Sequence, residues 1–105
     1  MGTSPSYNAL LILASLADAD RHGYAIRKDV DERSGGDVRL GSTTLYRMLG
    51  QLLDEGLIED ARTRPAPQLD DERRRYFHIT AAGRRALAGE LRRLERVLLA
   101  VRTAR

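Results

Sequence analysis

The sequence predicts a mainly α fold with a small β component, in the order helix, helix, helix, strand, strand, helix. Three observations lead there. A leucine stripe at helical spacing, Leu45, Met48, Leu49, Leu52 and Leu53, leads through Gly56 into the short apolar run Leu57-Ile58. The segment Arg73 to Ile79 alternates as a strand does. A last long segment carries Leu87, Leu91, Leu94, Leu98 and Val101 at spacings of 4, 3, 4 and 3, the alternation of a coiled-coil seam.

The first helix is expected from about Ser6 to Asp18, where Ala9 to Leu13 is apolar almost all round and so fit for burial on more than one side. After the loop Asp18-Ala-Asp-Arg-His-Gly a second helix should run from about His22 to Arg33, with Tyr24, Ile26 and Val30 as packing residues. The Ser34-Gly-Gly-Asp break ends it, because paired glycines reach positive φ without steric cost. The third helix opens on Gly41-Ser-Thr-Thr, where Ser42 or Thr43 can cap an orphaned backbone N–H. Its other face holds Thr43, Tyr46, Arg47, Gly50 and Asp54, and Gly56 suits its C-terminal cap. Two strands follow, "LIEDAR" and "RRRYFHI", the second with Arg75, Phe77 and Ile79 on one face and Tyr76 and His78 on the other. Thr80 can cap the last helix.

Two consecutive helices around a glycine-containing turn, followed by a hairpin, describe a winged helix-turn-helix. In that architecture the second helix of the pair lays its N-terminal residues in a DNA major groove. Hydroxyls and free N–H groups at such an N-terminus suit phosphate oxygens.

Composition bounds the alternatives. A chain of 105 residues is one domain, near the size where a single core is thin and a partner subunit is often needed. Without cysteine, disulfides, thiolate zinc sites and a cysteine nucleophile are excluded. Neither His22 nor His78 sits in metal-ligand spacing, so neither metal nor cofactor is expected. With no nucleophile–base pair and no phosphate loop, no catalytic residue is assigned. The run "ALLILASLADA" looks like a leader peptide, but no basic residue precedes it and it falls well short of the ~20 residues of a membrane span. A soluble cytoplasmic protein is expected.

Charge is divided along the chain. Residues 1–72 hold 8 Arg/Lys against 13 Asp/Glu, whereas residues 73–105 hold 10 Arg against 2 Glu. The basic C-terminal part hints at a polyanionic partner, although 17 of the 18 basic residues being Arg also fits a bias in base composition.

Three segments together resemble the PadR-like transcriptional regulators: "HGYAI" (His22 to Ile26), "GSTTLYRMLGQLLDEGLIE" (Gly41 to Glu59) and "RRRYFHITAAGRRAL" (Arg73 to Leu87). The resemblance implies a short member of that family, with a winged helix-turn-helix over 1–79 (wing about 57–79) and a dimerisation helix over 80–105. It implies a homodimeric, sequence-specific regulator of double-stranded operator DNA, usually a repressor of its own or a neighbouring promoter. Ser42, Thr43, Thr44, Tyr46 and Arg47 would lie at the groove, flanked by Tyr24, Arg27 and Lys28 and by the wing arginines Arg62, Arg64, Arg73, Arg74 and Arg75. Leu87, Leu91, Leu94, Leu98 and Val101 would join the subunits against Leu10 and Leu13 of the partner's first helix. In some relatives a small aromatic or drug-like effector binds between these helices, which would place Tyr7, Asn8 and Leu11 beside it.

This chain departs from the family pattern where a basic residue is common, at Gly50 and Gln51, and Asp54 and Glu55 follow closely. It has no tryptophan, so a drug pocket of stacked indoles is not available to it. An acidic front half also suits a rival reading, a winged helix that binds protein without specific DNA binding. Salt separates the two, because phosphate neutralisation releases counterions and a protein–protein contact does not.

Overall fold

The computed structural model describes residues 5–61 and 75–104. Among them the elements run α1 (Tyr7–Asp18), β1 (Arg21–His22), α2 (Gly23–Arg33), α3 (Ser42–Asp54), β2 (Ile58–Asp60), β3 (Tyr76–Ile79) and α4 (Ala81–Thr103). The fold is a winged helix, with one strand more than the sequence led us to expect.

Helix α1 begins where Ser6 Oγ accepts the N–H of Ala9 at 3.2 Å. It packs against α2, α4 and β3, which is why so little of its surface is polar: Ala9 to Leu13, Ser15 and Leu16 are all buried. The next element is the unexpected one. Arg21 and His22 pair antiparallel with Phe77 and Tyr76, so β3 is the centre of a three-stranded sheet in the order β1-β3-β2. Two residues are too few to show a period of two, so this strand left no trace in the pattern. On the other edge, Ile58, Glu59 and Asp60 pair with Ile79, His78 and Phe77.

Helix α2 starts one residue later than expected, because His22 is its cap: the Nδ1 atom accepts the N–H of Ala25 at 3.3 Å. Ile26 and Val30 are buried, but Tyr24 is exposed and is not part of the core. It precedes Ile26 by two positions, which on a helix turns it to the far side. Gly35 and Gly36 take φ of 64° and 86° and end the helix as their pairing suggested. The C-terminal ends of α1 and α2 are pinned by charge. Arg33 donates to Asp18 at 2.7 Å and to Asp29 at 3.0 Å, with Arg21 3.9 Å from Asp29.

Helix α3 buries Leu45, Leu49 and Leu52, with Met48 and Leu53 packed at the margin of the core. It ends in a Schellman turn: the N–H of Gly56 bonds the Leu53 carbonyl and that of Leu57 bonds the Leu52 carbonyl, both at 3.0 Å. The start of α4 clamps this corner. Thr80 accepts the Gly83 N–H at 3.0 Å, capping α4, and donates to the Gly56 carbonyl at 2.7 Å. Gly83 lies so close to β2 that a Cβ would overlap the Leu57 carbonyl oxygen. Phe77, Ile79, Ile12, Leu13 and Leu16 complete the core between helices and sheet.

Candidate nucleic-acid interface

The first turn of α3 differs from the sequence reading. Neither Ser42 nor Thr43 caps it; the cap position is Gly41, which has no side chain to offer, and Ser42 to Thr44 are the first helical residues. The Leu45 N–H bonds the Gly41 carbonyl at 2.9 Å, so the amides of Ser42, Thr43 and Thr44 precede the helical ladder and need acceptors from outside it. Ser42, Thr43, Tyr46 and Arg47 are exposed and Thr44 is half-buried. The result is a helix end with three hydroxyls, three outward-facing amides and a positive dipole, standing on a fully apolar base.

Helix α2 supports that end. The hydroxyl and ring of Tyr46 lie against Gly23, where any Cβ would overlap them. This explains the His-Gly-Tyr sequence: histidine caps α2, glycine makes room for the tyrosine of α3, and Tyr24 stays exposed beside them. The His22 ring also stacks on Tyr24 and meets Tyr76 edge-on, with centroids 6.4 and 5.2 Å apart. Both Gly23 and His22 were missed as site residues. Their signal was the spacing of "HGY" before a tyrosine-bearing helix, which reads only as a turn until the two helices are seen to touch.

The basic residues assigned to this surface fall into distinct groups. Arg27 is half-buried and turned inward, its Nε donating to the Leu40 carbonyl at 2.9 Å and its Nη1 to Ser42 Oγ at 3.2 Å. Lys28 and Arg47 are exposed. Just before β3, Arg75 donates to both carboxylate oxygens of Asp60 on β2, at 2.6 and 3.1 Å, and its guanidinium lies 5.1 Å from the Phe77 ring centre. Those hydrogen bonds hold the Asp60 carboxyl below its usual range and raise the Arg75 guanidinium further. Arg62, Arg64, Arg73 and Arg74 lie outside the described residues.

The seam residues divide. Leu10, Leu13 and Leu87 are buried in this chain's own core, Leu13 completely, so an assignment of Leu13 to a partner-facing surface is corrected: α1 is enclosed by α2, α4 and β3. Leu91, Leu94, Leu98 and Val101 remain exposed, in a stretch of α4 where every residue from Leu91 to Thr103 is exposed. Of the residues placed beside an effector, Leu11 is buried, Asn8 half-buried and Tyr7 exposed. An open groove of roughly 760 Å³ is lined instead by Ser6 before α1 and Ala9 of α1, with Met48, Leu52 and Glu55 at α3 and Ala86 of α4. Among the described residues no group of three His, Asp or Glu side chains could share a metal ion, and no helix is long and apolar enough to cross a membrane.

Residues 12–89 match the family described as the transcriptional regulator PadR-like family. A 37.1 kDa protein in transposon TN4556 of Streptomyces fradiae is 35% identical over 88 residues, covering 84% of this chain but only 23% of that protein. Among solved structures, a transcriptional regulator from Clostridium thermocellum superposes with a TM-score of 0.72 at 25% identity, over 91% of this chain and 87% of that one. Bacillus subtilis PadR, solved in complex with operator DNA, gives 0.63 at 25% identity, over 79% of this chain and 45% of that one.

Proposed function

The chain belongs to the transcriptional regulator PadR-like family, and from that membership we propose that it acts as a homodimeric, sequence-specific binder of operator DNA that represses transcription. It is a regulator rather than an enzyme. The observation that carries the reading is the first turn of α3, uncapped, hydroxyl-rich and exposed, over a leucine face that is wholly buried. The operator complex of Bacillus subtilis PadR supports it by likeness.

In this reading residues 1–79 are the DNA-binding domain and the helix from residue 80 joins the subunits. Ser42, Thr43, Thr44 and Tyr46 meet phosphates and base edges, and Arg47 and Lys28 neutralise phosphates, with Tyr24 beside them. The wing arginines Arg62, Arg64, Arg73 and Arg74 reach the adjacent backbone. Leu91, Leu94, Leu98 and Val101 are the dimer seam, since an exposed heptad stripe of this length asks for a second helix. An aromatic effector between the helices of the dimer would release the DNA by changing the spacing of the two α3 helices. The protein is expected to work in the cytoplasm.

Fluorescence anisotropy against promoter duplexes and a scrambled control, in a salt series, tests this. Selective binding whose logarithm falls steeply with the logarithm of salt is expected, and Arg47→Ala should reduce that slope by about 1.8, about 0.9 for each of the two protomers. Equal, shallow binding to every duplex would instead favour a winged helix that docks on protein.

A further inference from the structure

We propose that Arg27 is a positioning residue for DNA recognition: from α2, its guanidinium fork fixes the first turn of α3 and itself makes no phosphate contact. The proposal rests on the DNA-binding reading above, and it removes Arg27 from the set of phosphate ligands.

Three features of the structure carry it. Helix α3 lacks a side-chain cap because Gly41 occupies the cap position, so nothing within the helix anchors its entry. Arg27 supplies the anchor from outside. Its Nε donates to the carbonyl of Leu40, the buried residue just before Gly41, and Nη1 donates to Ser42 Oγ, the first side chain of the helix. The two bonds bracket Gly41. The Leu40 carbonyl gains a charged donor, and the chain's direction into α3 is set.

The second bond has a further effect. A serine hydroxyl has one proton to donate, and with a guanidinium donating to its oxygen that proton is turned away from Arg27. Ser42 is exposed there, so it faces solvent as a hydrogen-bond donor. Its partner on DNA is an acceptor, a phosphate oxygen or a purine N7. The fork is what makes this arrangement. Lysine keeps the charge and has three N–H donors, but they sit on one nitrogen at the end of a flexible stem and lack the fixed spacing of Nε and Nη1 that brackets Gly41.

Arginine-to-lysine exchange therefore distinguishes positioning from phosphate binding. In the full-length chain, Arg27→Lys and Arg27→Ala should weaken binding to the preferred duplex alike, about tenfold, and leave the salt slope as in the parent. Arg47→Ala, measured beside them, should lose about 1.8 from the slope, about 0.9 per protomer. Parent-like affinity in Arg27→Lys, or a slope reduced by about 1.8 (about 0.9 per protomer) in Arg27→Ala, would make Arg27 a phosphate ligand and overturn the proposal.

Amide hydrogen exchange without DNA provides the second readout. The Leu45 and Tyr46 amides should exchange about tenfold faster in both Arg27 variants, with the α1 amides of Ile12 and Leu13 unchanged. Unchanged exchange at Leu45, or equal acceleration in α1, would show that Arg27 does not act on this turn in particular. If the parent protein selects no duplex, the DNA-binding reading fails, and the exchange experiment still decides whether Arg27 holds α3.

Discussion

Helix α3 and the distal half of α4 carry the same kind of pattern and meet opposite fates. In α3, Leu45, Leu49 and Leu52 are 0, 1 and 3% exposed. In α4, Leu91, Leu94 and Leu98 are 50, 44 and 47% exposed, although the spacing continues from the buried Leu87 without a break. Amphipathic spacing says that a face will be covered; it does not say by what. The two regions are also fastened differently. Around α2 and α3 the ties are polar, among them Arg27 to Leu40 and Arg33 to Asp18 and Asp29. Along distal α4 the exposed leucine stripe is flanked by Arg92, Arg93, Glu95, Arg96 and Arg102, and Arg93 pairs with Glu90 at 3.0 Å.

The strongest way to break this comparison is to put charge on the exposed seam. If α4 joins the subunits as proposed, Leu94→Asp with Leu98→Asp should raise the dimer dissociation constant at least ~100-fold by sedimentation, because both side chains would be desolvated at the centre of that interface. The monomer should stay folded by circular dichroism. Leu87→Ala, two turns before Leu94 on the same stripe, should cost about 2–3 kcal/mol in urea at every protein concentration, as a core cavity does. If the double aspartate variant associates like the parent, α4 is not the dimer seam.

Two glycines sharpen the boundary within α4. A Cβ at Gly83 would overlap the Leu57 carbonyl oxygen and press on Ile79, and backbone of a sheet edge cannot swing aside. Gly83→Ala should therefore destabilise by about 2–3 kcal/mol in urea titration. Gly89 has only the tip of Arg92 at 4.0 Å, so Gly89→Ala should stabilise by up to about 1 kcal/mol through helix propensity alone. Equal effects at the two positions would mean that α4 is not held against β2 as described.

The parts legible in the sequence were those with a repeating signal or an unambiguous residue. The leucine stripe of α3, the Gly35-Gly36 break, the Thr80 cap and the alternation of Phe77 and Ile79 all follow from local rules. What stayed hidden depends on residues far apart in the chain. Strand β1 exists because β3 leaves an edge open at Arg21, 56 positions before its partner Phe77. Gly41 takes the cap position from Ser42, and Arg27 then turns inward to Ser42; neither event has a periodic signature. For the same reason Arg75 read as a free basic residue of the wing, although Asp60 holds it by two bonds.

Acid should separate the polar region from the apolar one by the smallest of these effects. Burial by itself would raise the Asp29 carboxyl, but hydrogen bonds from Arg33 and the charges of Arg33 and Arg21 outweigh it and hold it below its ordinary 3.8. A carboxyl with a lowered folded-state pKa contributes stability that is fully present above its unfolded value and is lost as pH falls through the folded one. Asp29→Asn should thus cost about 1 kcal/mol at pH 7, and the gap to the parent should close below about pH 3.8. The proposed association through Leu91, Leu94 and Leu98 does not involve Asp29, so the variant should dimerise like the parent at pH 7. A constant gap down to pH 3 would show that the pin between α1 and α2 owes its strength to shape and not to charge.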